Sequence, residues 1–144
     1  MDKISCEQQS IKLKGNIAMK VSVLVVDDEE FVQPLAERVR MRELGSEVTF
    51  NGKEALAKLG ENLPDVMVLD FYLPGTGGLT VLEQVKKTYP EVQVIMLTVL
   101  GAPELEKKTR DLDAFGYLQK PVGIDKLTKT IEKAYQYKQQ LEKR

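Results

Sequence analysis

Acidic side chains stand at the ends of two apolar runs of the sequence. Asp27 and Asp28 directly follow one run, residues 21–26, and Asp70 is the last residue of another. Carboxylates that meet within a few ångströms raise one another's pKa, so such a group needs a compensating cation. The chain has no histidine and one cysteine, Cys6, and all-oxygen ligation favours a hard ion, magnesium before calcium or manganese. The three aspartates therefore predict a metal site, provided that the fold brings them together.

A hydroxyl and an ammonium group follow two later apolar runs. Thr98 comes directly after residues 92–97, and Lys120 follows residues 114–118 after one intervening residue. A lysine can act as a point charge on phosphate oxygens, and a threonine hydroxyl can donate a hydrogen bond to one of them. Magnesium usually binds one or two protein carboxylates together with phosphate oxygens, so the set indicates a phosphoryl-transfer centre rather than a structural metal. Each residue alone would be an ordinary turn or strand-end residue.

Composition limits the classes of protein to which the chain can belong. The 144 residues are 42% apolar, which fits a single globular domain, and 21 basic against 22 acidic side chains give a net charge of −1. No broad electropositive surface for direct nucleic-acid or membrane binding is therefore predicted. One cysteine cannot form an internal disulfide, and no stretch resembles a membrane span or a signal peptide, so we expect a cytoplasmic protein.

Strand-like runs alternate with segments of helical periodicity along the chain. The five runs are rich in β-branched residues and cover residues 21–26, 47–50, 66–70, 92–97 and 114–118. Asn51 is a plausible N-cap for a helix that follows it, and the last helix is predicted over residues 124–141. Five strand–helix units with short connections predict a parallel sheet with helices on both faces. In such sheets ligands bind at the carboxyl ends of the strands, where the chemical residues stand.

The first residues do not follow this pattern. Residues 1–19 are expected to be an N-terminal arm or a cloning remnant, although the alternation over residues 11–14 leaves an extra edge strand open. Residues 20–144 are predicted to form the domain, with an extended C-terminal helix.

The ordered set of residues resembles the receiver domain of two-component response regulators of the chemotaxis-regulator type. It comprises Asp-Asp after the first strand, Asp after the third with Pro-Gly four and five residues on, Thr after the fourth and Lys-Pro after the fifth. The resemblance covers about residues 20 to 141. It implies a flavodoxin-like doubly wound five-stranded sheet of order 2-1-3-4-5. It also implies phosphorelay signalling, in which a sensor histidine kinase or phosphotransfer protein phosphorylates Asp70.

The resemblance further assigns roles to individual residues. Asp28, Asp70 and the backbone carbonyl of Tyr72 would bind Mg²⁺ directly, and Asp27 would act largely through water. Lys120 would neutralise the phosphoryl oxygens. The domain would be a phosphoacceptor switch that assists its own phosphorylation and dephosphorylation, rather than an enzyme with an external substrate.

The resemblance also implies how the switch is read. Thr98 would be drawn toward the new phosphoryl group, which would open space for Tyr117 to rotate. The surface of the fourth helix, fifth strand and fifth helix would then bind an output protein or a missing output domain, or pair two copies into a homodimer. For Tyr117 a packing role with its hydroxyl in water stays open.

A few positions depart from the commonest receiver pattern. Val99 stands where a smaller residue is usual, and Tyr72 and Leu100 flank the acceptor without a carboxylate or amide to orient water. These departures predict a long-lived phosphoryl group. Asp113 stands where a glycine commonly ends the fourth helix, so a left-handed residue is expected there.

Two other function classes were compatible with part of the pattern. A phosphatase of the haloacid dehalogenase class also uses an aspartyl phosphate and magnesium, but its nucleophile lies on the first strand as Asp-x-Asp. A degenerate receiver acting as a constitutive interaction module is disfavoured by the intact set of aspartates, Thr98 and Lys120. Too few residues follow Pro121 for an output domain, so a separate partner and a longer parent chain both remain open.

Overall fold

The computed structural model describes residues 21–27, 45–73, 75–99 and 103–143, and these residues contain nine helices and strands. In chain order they are β1 (Ser22–Val26), β2 (Gly45–Thr49), α1 (Gly52–Glu61), β3 (Val66–Asp70), α2 (Gly78–Thr88), β4 (Gln93–Thr98), α3 (Pro103–Asp111), β5 (Gly116–Gln119) and α4 (Ile124–Glu142). The predicted arm, the possible strand at 11–14 and the predicted first helix between β1 and β2 lie outside the described residues. The fourth and fifth helices of the sequence pattern are therefore α3 and α4.

The five strands form one parallel sheet in the order β2-β1-β3-β4-β5. This confirms the predicted order 2-1-3-4-5. Strand order reverses at β1 and β3, which are direct neighbours with Val26 opposite Leu69. The carboxyl ends of β1 and β3 therefore lie side by side at the point where doubly wound sheets bind their ligands.

Apolar layers cover both faces of the sheet, as the nearly continuous apolar strands predict. On one face, Val66 and Val68 of β3 belong to a buried cluster with Leu127 and Ile131 of α4. On the other face, alternate residues of the same strand pack with the buried residues of α1 and α2. Because the side chains of a strand alternate between faces, both faces need helices, and the doubly wound architecture follows.

Local sequence determines where several elements begin and end. The side chain of Asn51 accepts a hydrogen bond from the backbone N–H of Glu54, which confirms the predicted N-cap of α1. Glu54 in turn accepts from the N–H of Phe50, so the two side chains satisfy donors at both sides of the helix start. Asp113 has a φ of 67°, as expected for the left-handed residue after α3.

Some strand boundaries differ from the predicted ones by one or two residues. β5 begins at Gly116 rather than at residue 114, because the N–H of Ala114 bonds to the carbonyl of Thr109 and closes the turn after α3. β4 begins at Gln93 because the N–H of Val92 bonds to the carbonyl of Tyr89. The first apolar residue of each of these two runs thus donates its backbone N–H to a turn and not to the sheet.

Candidate functional site

Four of the predicted site residues stand at the carboxyl edge of the sheet. Asp27 follows β1, Asp70 ends β3, Thr98 ends β4 and Lys120 follows β5. Backbone hydrogen bonds continue the strand pairing into this region: the N–H of Asp27 bonds to Thr49 and the N–H of Lys120 bonds to Thr98, at 3.2 and 2.7 Å. Parallel pairing therefore fixes the backbone from which each of these side chains extends.

Lys120 connects the two described carboxylates of the site. Its Nζ lies 2.8 Å from Oδ2 of Asp27 and 3.4 Å from Oδ1 of Asp70. The three side chains are almost fully buried, with exposed fractions of 6% for Lys120, 1% for Asp27 and 4% for Asp70. The peptide bond between Lys120 and Pro121 is cis. One ammonium group thus stands between two buried carboxylates.

The pKa of the Asp70 carboxyl reflects the balance of charges around it. Burial, and then the charge of Asp27, raise the pKa of the Asp70 carboxyl to about 6, while Lys120 and the backbone N–H of Tyr72 act in the opposite direction. The cation and the hydrogen bond therefore compensate only part of the cost of a carboxylate at this position. The site still favours additional positive charge.

Thr98 and Tyr117 lie beside this cluster. Thr98 is fully buried and pairs in register with Gln119, and Tyr117 pairs with Met96 on the same two strands. The Tyr117 ring is half-buried and packs against the cluster of the α1–α2 face. Both residues therefore lie on β4 and β5, the strands on which the sequence pattern predicts them.

An apolar rim borders the carboxylate pair. Tyr72 is the second residue after β3 and Val99 the first after β4, and they are 46% and 50% exposed. The rings of Phe71 and Tyr72 meet edge to face with centroids 4.7 Å apart. The rim therefore places bulky apolar groups, not carboxylates or amides, next to the acceptor. Leu100, the other predicted flanking residue, lies outside the described residues.

The metal site can be assessed on the two carboxylates within the described ranges. Those ranges contain no group of three or more acidic, histidine or cysteine residues suited to a metal, and Asp28 lies outside them. Asp27 and Asp70 supply hard oxygen donors, and the raised pKa of Asp70 indicates that added positive charge would stabilise its ionised form. The donor set at this position fits a hard divalent cation such as Mg²⁺.

Gly78 is a residue of this region that the sequence reasoning missed. A Cβ atom built on it would lie 2.4 Å from the carbonyl oxygen of Asp70. Gly75 and Gly77 precede α2 and Gly78 is its first residue, and such a group usually indicates a turn or a close approach of backbones. The sequence contains this sign but does not say which of the three glycines makes the contact.

No helix within the described ranges is long and apolar enough to cross a membrane.

Comparison with known proteins agrees with this geometry. The family described as "Response regulator receiver domain" matches residues 23–132. The DNA-binding transcriptional regulator NtrC of Salmonella typhimurium is 36% identical over 122 residues, which are 82% of this chain and 26% of that protein. The putative response regulator NtrX-like of Rickettsia felis is 33% identical over 118 residues, 80% of this chain and 25% of its own length. The chain thus spans about a quarter of the curated relatives it matches.

Solved structures show the same likeness. The receiver domain of the Francisella response regulator 1452 superimposes with a TM-score of 0.77 at 29% identity, covering 82% of this chain and 98% of that one. A response regulator receiver domain protein from Clostridium thermocellum gives a TM-score of 0.79 at 29% identity, covering 84% and 98%. Fold, order of the site residues and both comparisons agree, and the phosphatase class is set aside: the chain belongs to the receiver domain family of response regulators, the switch domains of phosphorelay signalling.

Proposed function

We propose that Asp70 is the residue that accepts the phosphoryl group, from a phosphohistidine of a sensor histidine kinase or a phosphotransfer protein. The observation that carries this assignment is the buried Asp27–Lys120–Asp70 cluster at the carboxyl edge of the sheet. Asp70 is the carboxylate with the under-compensated charge, and its pKa of about 6 leaves it mostly ionised at neutral pH. An ionised carboxylate is the form that can attack phosphorus.

The chemistry of transfer requires positioning and charge neutralisation more than covalent work by the protein. A carboxylate oxygen of Asp70 forms the new bond to phosphorus as the phosphorus–nitrogen bond of the phosphohistidine breaks. The electron pair of that bond returns to the imidazole of the donor. Lys120 neutralises the oxygens of the transferred group, and the product is an acyl phosphate on Asp70.

Magnesium is the proposed cofactor of this step, held by Asp28, Asp70 and the carbonyl of Tyr72, with Asp27 acting through water. When bound, it supplies further positive charge next to the phosphoryl oxygens. The burial of both Asp27 and Asp70, together with the raised pKa of Asp70, supports this assignment. With these groups the domain would assist its own phosphorylation and dephosphorylation.

The proposed switch connects Asp70 with the surface of α3, β5 and α4. The acyl phosphate gives the Thr98 hydroxyl a new acceptor, and Tyr117 on the neighbouring strand responds to its movement. The burial of Thr98 at the end of β4 and the half-buried position of Tyr117 support this route. Substitution of Tyr117 by alanine that leaves partner binding after phosphorylation unchanged would favour the simple packing role.

A slow loss of the phosphoryl group follows from the apolar rim. Neither Tyr72 nor Val99 carries a carboxylate or amide that could orient an attacking water, and the Val99 side chain is proposed to obstruct the approach to Asp70. We therefore expect a phosphoryl lifetime well beyond seconds on purified phosphorylated protein, and a shorter one in Val99→Ala. Dephosphorylation of the native chain within seconds would contradict this part of the proposal.

The proposed partners are a kinase or phosphotransfer protein that supplies the group and an output module that reads the state. The output module is a separate protein or a domain of a longer chain, since relatives such as NtrC are about four times longer than the matched region. The α3–β5–α4 surface is the proposed contact, including that of a homodimer. With a net charge of −1, the domain itself is proposed to act in the cytoplasm without contacting nucleic acid or membrane. Residues 1–19 are proposed as an arm outside the domain.

The test is incubation with phosphoramidate, a small phosphodonor, and Mg²⁺, followed by intact mass measurement. We expect the native chain to gain one phosphoryl group and Asp70→Asn to gain none. Asp65→Asn is the matched control, because Asp65 directly precedes the opposite end of β3, and it should react like the native chain. No mass gain in the native chain, even with a cognate kinase supplied, would contradict the proposal and favour a constitutive interaction module.

A further inference from the structure

Helix α2 begins in direct contact with the backbone that follows Asp70. The N–H of Gly78 donates to the carbonyl of Phe71 at 3.0 Å, and Gly78 is buried. A Cβ atom at this position would lie 2.4 Å from the carbonyl oxygen of Asp70 and 2.8 Å from both Cα and the carbonyl oxygen of Phe71. All three atoms belong to the main chain, so no side chain can rotate away to make room. Any side chain at 78 must move either α2 or the end of β3.

The backbone beside Gly78 carries the groups that the proposed chemistry uses. Phe71 lies between Asp70, the proposed acceptor, and Tyr72, whose N–H bonds to the Asp70 carboxylate. The N–H of Phe71 bonds to the carbonyl of Leu97 on β4 at 2.8 Å. Phe71 is thus held from β4 on one side and from the start of α2 on the other. The second of these constraints depends on the close approach that Gly78 allows.

Two other glycines near α2 lack this contact. Gly77, the N-cap of the helix, has nothing within 4 Å of its built Cβ. Gly52, at the start of α1, would bring a Cβ within 2.7 Å of Cγ2 of Val81 on α2, and within 3.3 Å of Thr76. A substitution at Gly52 therefore crowds a side chain of α2 but does not touch the backbone of residues 70 and 71.

We propose that Gly78 is a positioning residue for phosphoryl transfer: its missing side chain sets the approach of α2 that holds Asp70 to Tyr72 in the geometry for magnesium and phosphate. The inference rests on the proposed function of Asp70. Displacements of about 1 Å at reacting groups can lower rates by about two orders of magnitude, so a forced shift of this backbone should act on the chemistry and not only on stability.

The experiment compares Gly78→Ala with Gly77→Ala and Gly52→Ala. For each variant, the apparent Mg²⁺ dissociation constant is measured from amide chemical shifts, the phosphorylation rate with phosphoramidate is expressed per folded molecule, and stability is taken from urea unfolding. We expect Gly78→Ala to weaken Mg²⁺ binding and slow phosphorylation by about 10- to 100-fold. Gly77→Ala should stay within about twofold of the native chain in all three measurements. Gly52→Ala should lose stability but keep native Mg²⁺ affinity.

Native Mg²⁺ affinity in Gly78→Ala would overturn the positioning role. So would an equal loss of affinity in Gly52→Ala, because the effect would then follow from general destabilisation. If Gly78→Ala does not fold, the native chain supplies the test: Mg²⁺ should shift the amide resonance of Gly78, which bonds to Phe71, and leave that of Gly77 nearly unchanged. An unshifted Gly78 resonance at Mg²⁺ saturation overturns the inference. A native chain that neither binds Mg²⁺ nor becomes phosphorylated instead contradicts the proposed function itself.

Discussion

The two ends of strand β3 each join an aspartate to a lysine, but with different balances of charge. At the carboxyl end, Asp70 shares Lys120 with a second carboxylate, that of Asp27. Just before the amino end, Asp65 lies 2.6 Å from Lys138 of α4 and also accepts a hydrogen bond from the N–H of Ser22. Lys138 also lies 3.6 Å from Glu142, but that second carboxylate is 58% exposed and therefore largely solvated, whereas the second carboxylate at Lys120, that of Asp27, is buried.

The pKa values of Lys138 and Asp70 differ in the way that these surroundings predict. Burial works to lower the pKa of Lys138, but the hydrogen bond and charge of Asp65 outweigh it, so the net shift is upward and the ammonium form is stabilised. At the other end, burial and Asp27 raise the pKa of Asp70, so its ionised form is destabilised. The balanced pair connects α4 to the sheet and strengthens the fold. The unbalanced end holds a buried carboxylate whose charge an added cation would compensate further.

The largest expected effect comes from replacing Lys120 and Lys138 one at a time, because one lysine serves phosphorylation and the other stabilises the fold. We expect Lys120→Met to slow phosphorylation of Asp70 by about 100-fold or more, because the buried cation that neutralises the transferred group is lost. Lys138→Met should leave the rate per folded molecule within about twofold and lower only the urea midpoint. Phosphoramidate kinetics with urea unfolding provide both readouts. Equal rate losses in the two variants would remove the distinction between the ends.

Magnesium should stabilise the native state by binding at the carboxyl end of β3 and not at its amino end. At a concentration 100 times its dissociation constant, a ligand specific for the native state adds about 2.7 kcal/mol to the free energy of unfolding. Asp65→Asn should retain this gain and Asp70→Asn should lose it. Urea unfolding with Mg²⁺ and with EDTA measures the difference. A gain of the same size in Asp70→Asn would place the metal elsewhere.

In metal-free buffer, ionisation of Asp70 should lower the free energy of unfolding. Its pKa is about 6 in the native state against an ordinary value of 3.8 for an aspartate, so between these pH values the folded chain holds a proton that the unfolded chain has released. The free energy of unfolding therefore falls as pH rises across this window and stays lower above it.

Asp70→Asn removes this cost and should unfold with a free energy about 2 to 3 kcal/mol above that of the native chain at pH 7, a difference that disappears below about pH 4. Urea midpoints at several pH values in EDTA test it. A destabilised Asp70→Asn at pH 7 would show that the carboxylate is fully compensated.

The smallest effect concerns the amino end. Asp65→Asn keeps a polar side chain but loses the charge that faces Lys138, so we expect a loss of about 1 to 2 kcal/mol in the free energy of unfolding. Lys58→Gln, which loses an exposed contact to Glu47, is the matched control and should change stability by less than about 1 kcal/mol. A loss in the control as large as in Asp65→Asn would mean that partial burial adds nothing to the amino-end pair.

Sequence patterns predicted the carboxyl end of β3 better than the amino end. Asp70 and Thr98 could be assigned because each closes a nearly continuous apolar run, and parallel pairing then brings strand ends together. Asp65, after Pro64, reads as an ordinary turn residue; its contacts to Ser22 and Lys138 join positions 43 and 73 residues away. Local periodicity carries no information on such distant pairs.

The same limit applies inside the site. The sequence placed Lys120 near the phosphoryl position, but only the structure shows that it lies closer to Asp27 than to Asp70. Gly78 was missed because the atoms that a side chain there would meet belong to the main chain seven and eight residues earlier. The first helix and Asp28 remain predictions, since they lie outside the described residues.

The central claim is that the phosphoryl group resides on Asp70, at the unbalanced end of β3. The most direct test is to phosphorylate the native chain, reduce the acyl phosphate with borohydride to homoserine, and sequence the tryptic peptide of residues 59–86 by tandem mass spectrometry. This peptide contains both Asp65 and Asp70 and no other aspartate. Homoserine at position 70, with aspartate intact at 65, is the predicted result. Homoserine at another position, or an unreduced peptide from a chain that has gained a phosphoryl group, would contradict the account.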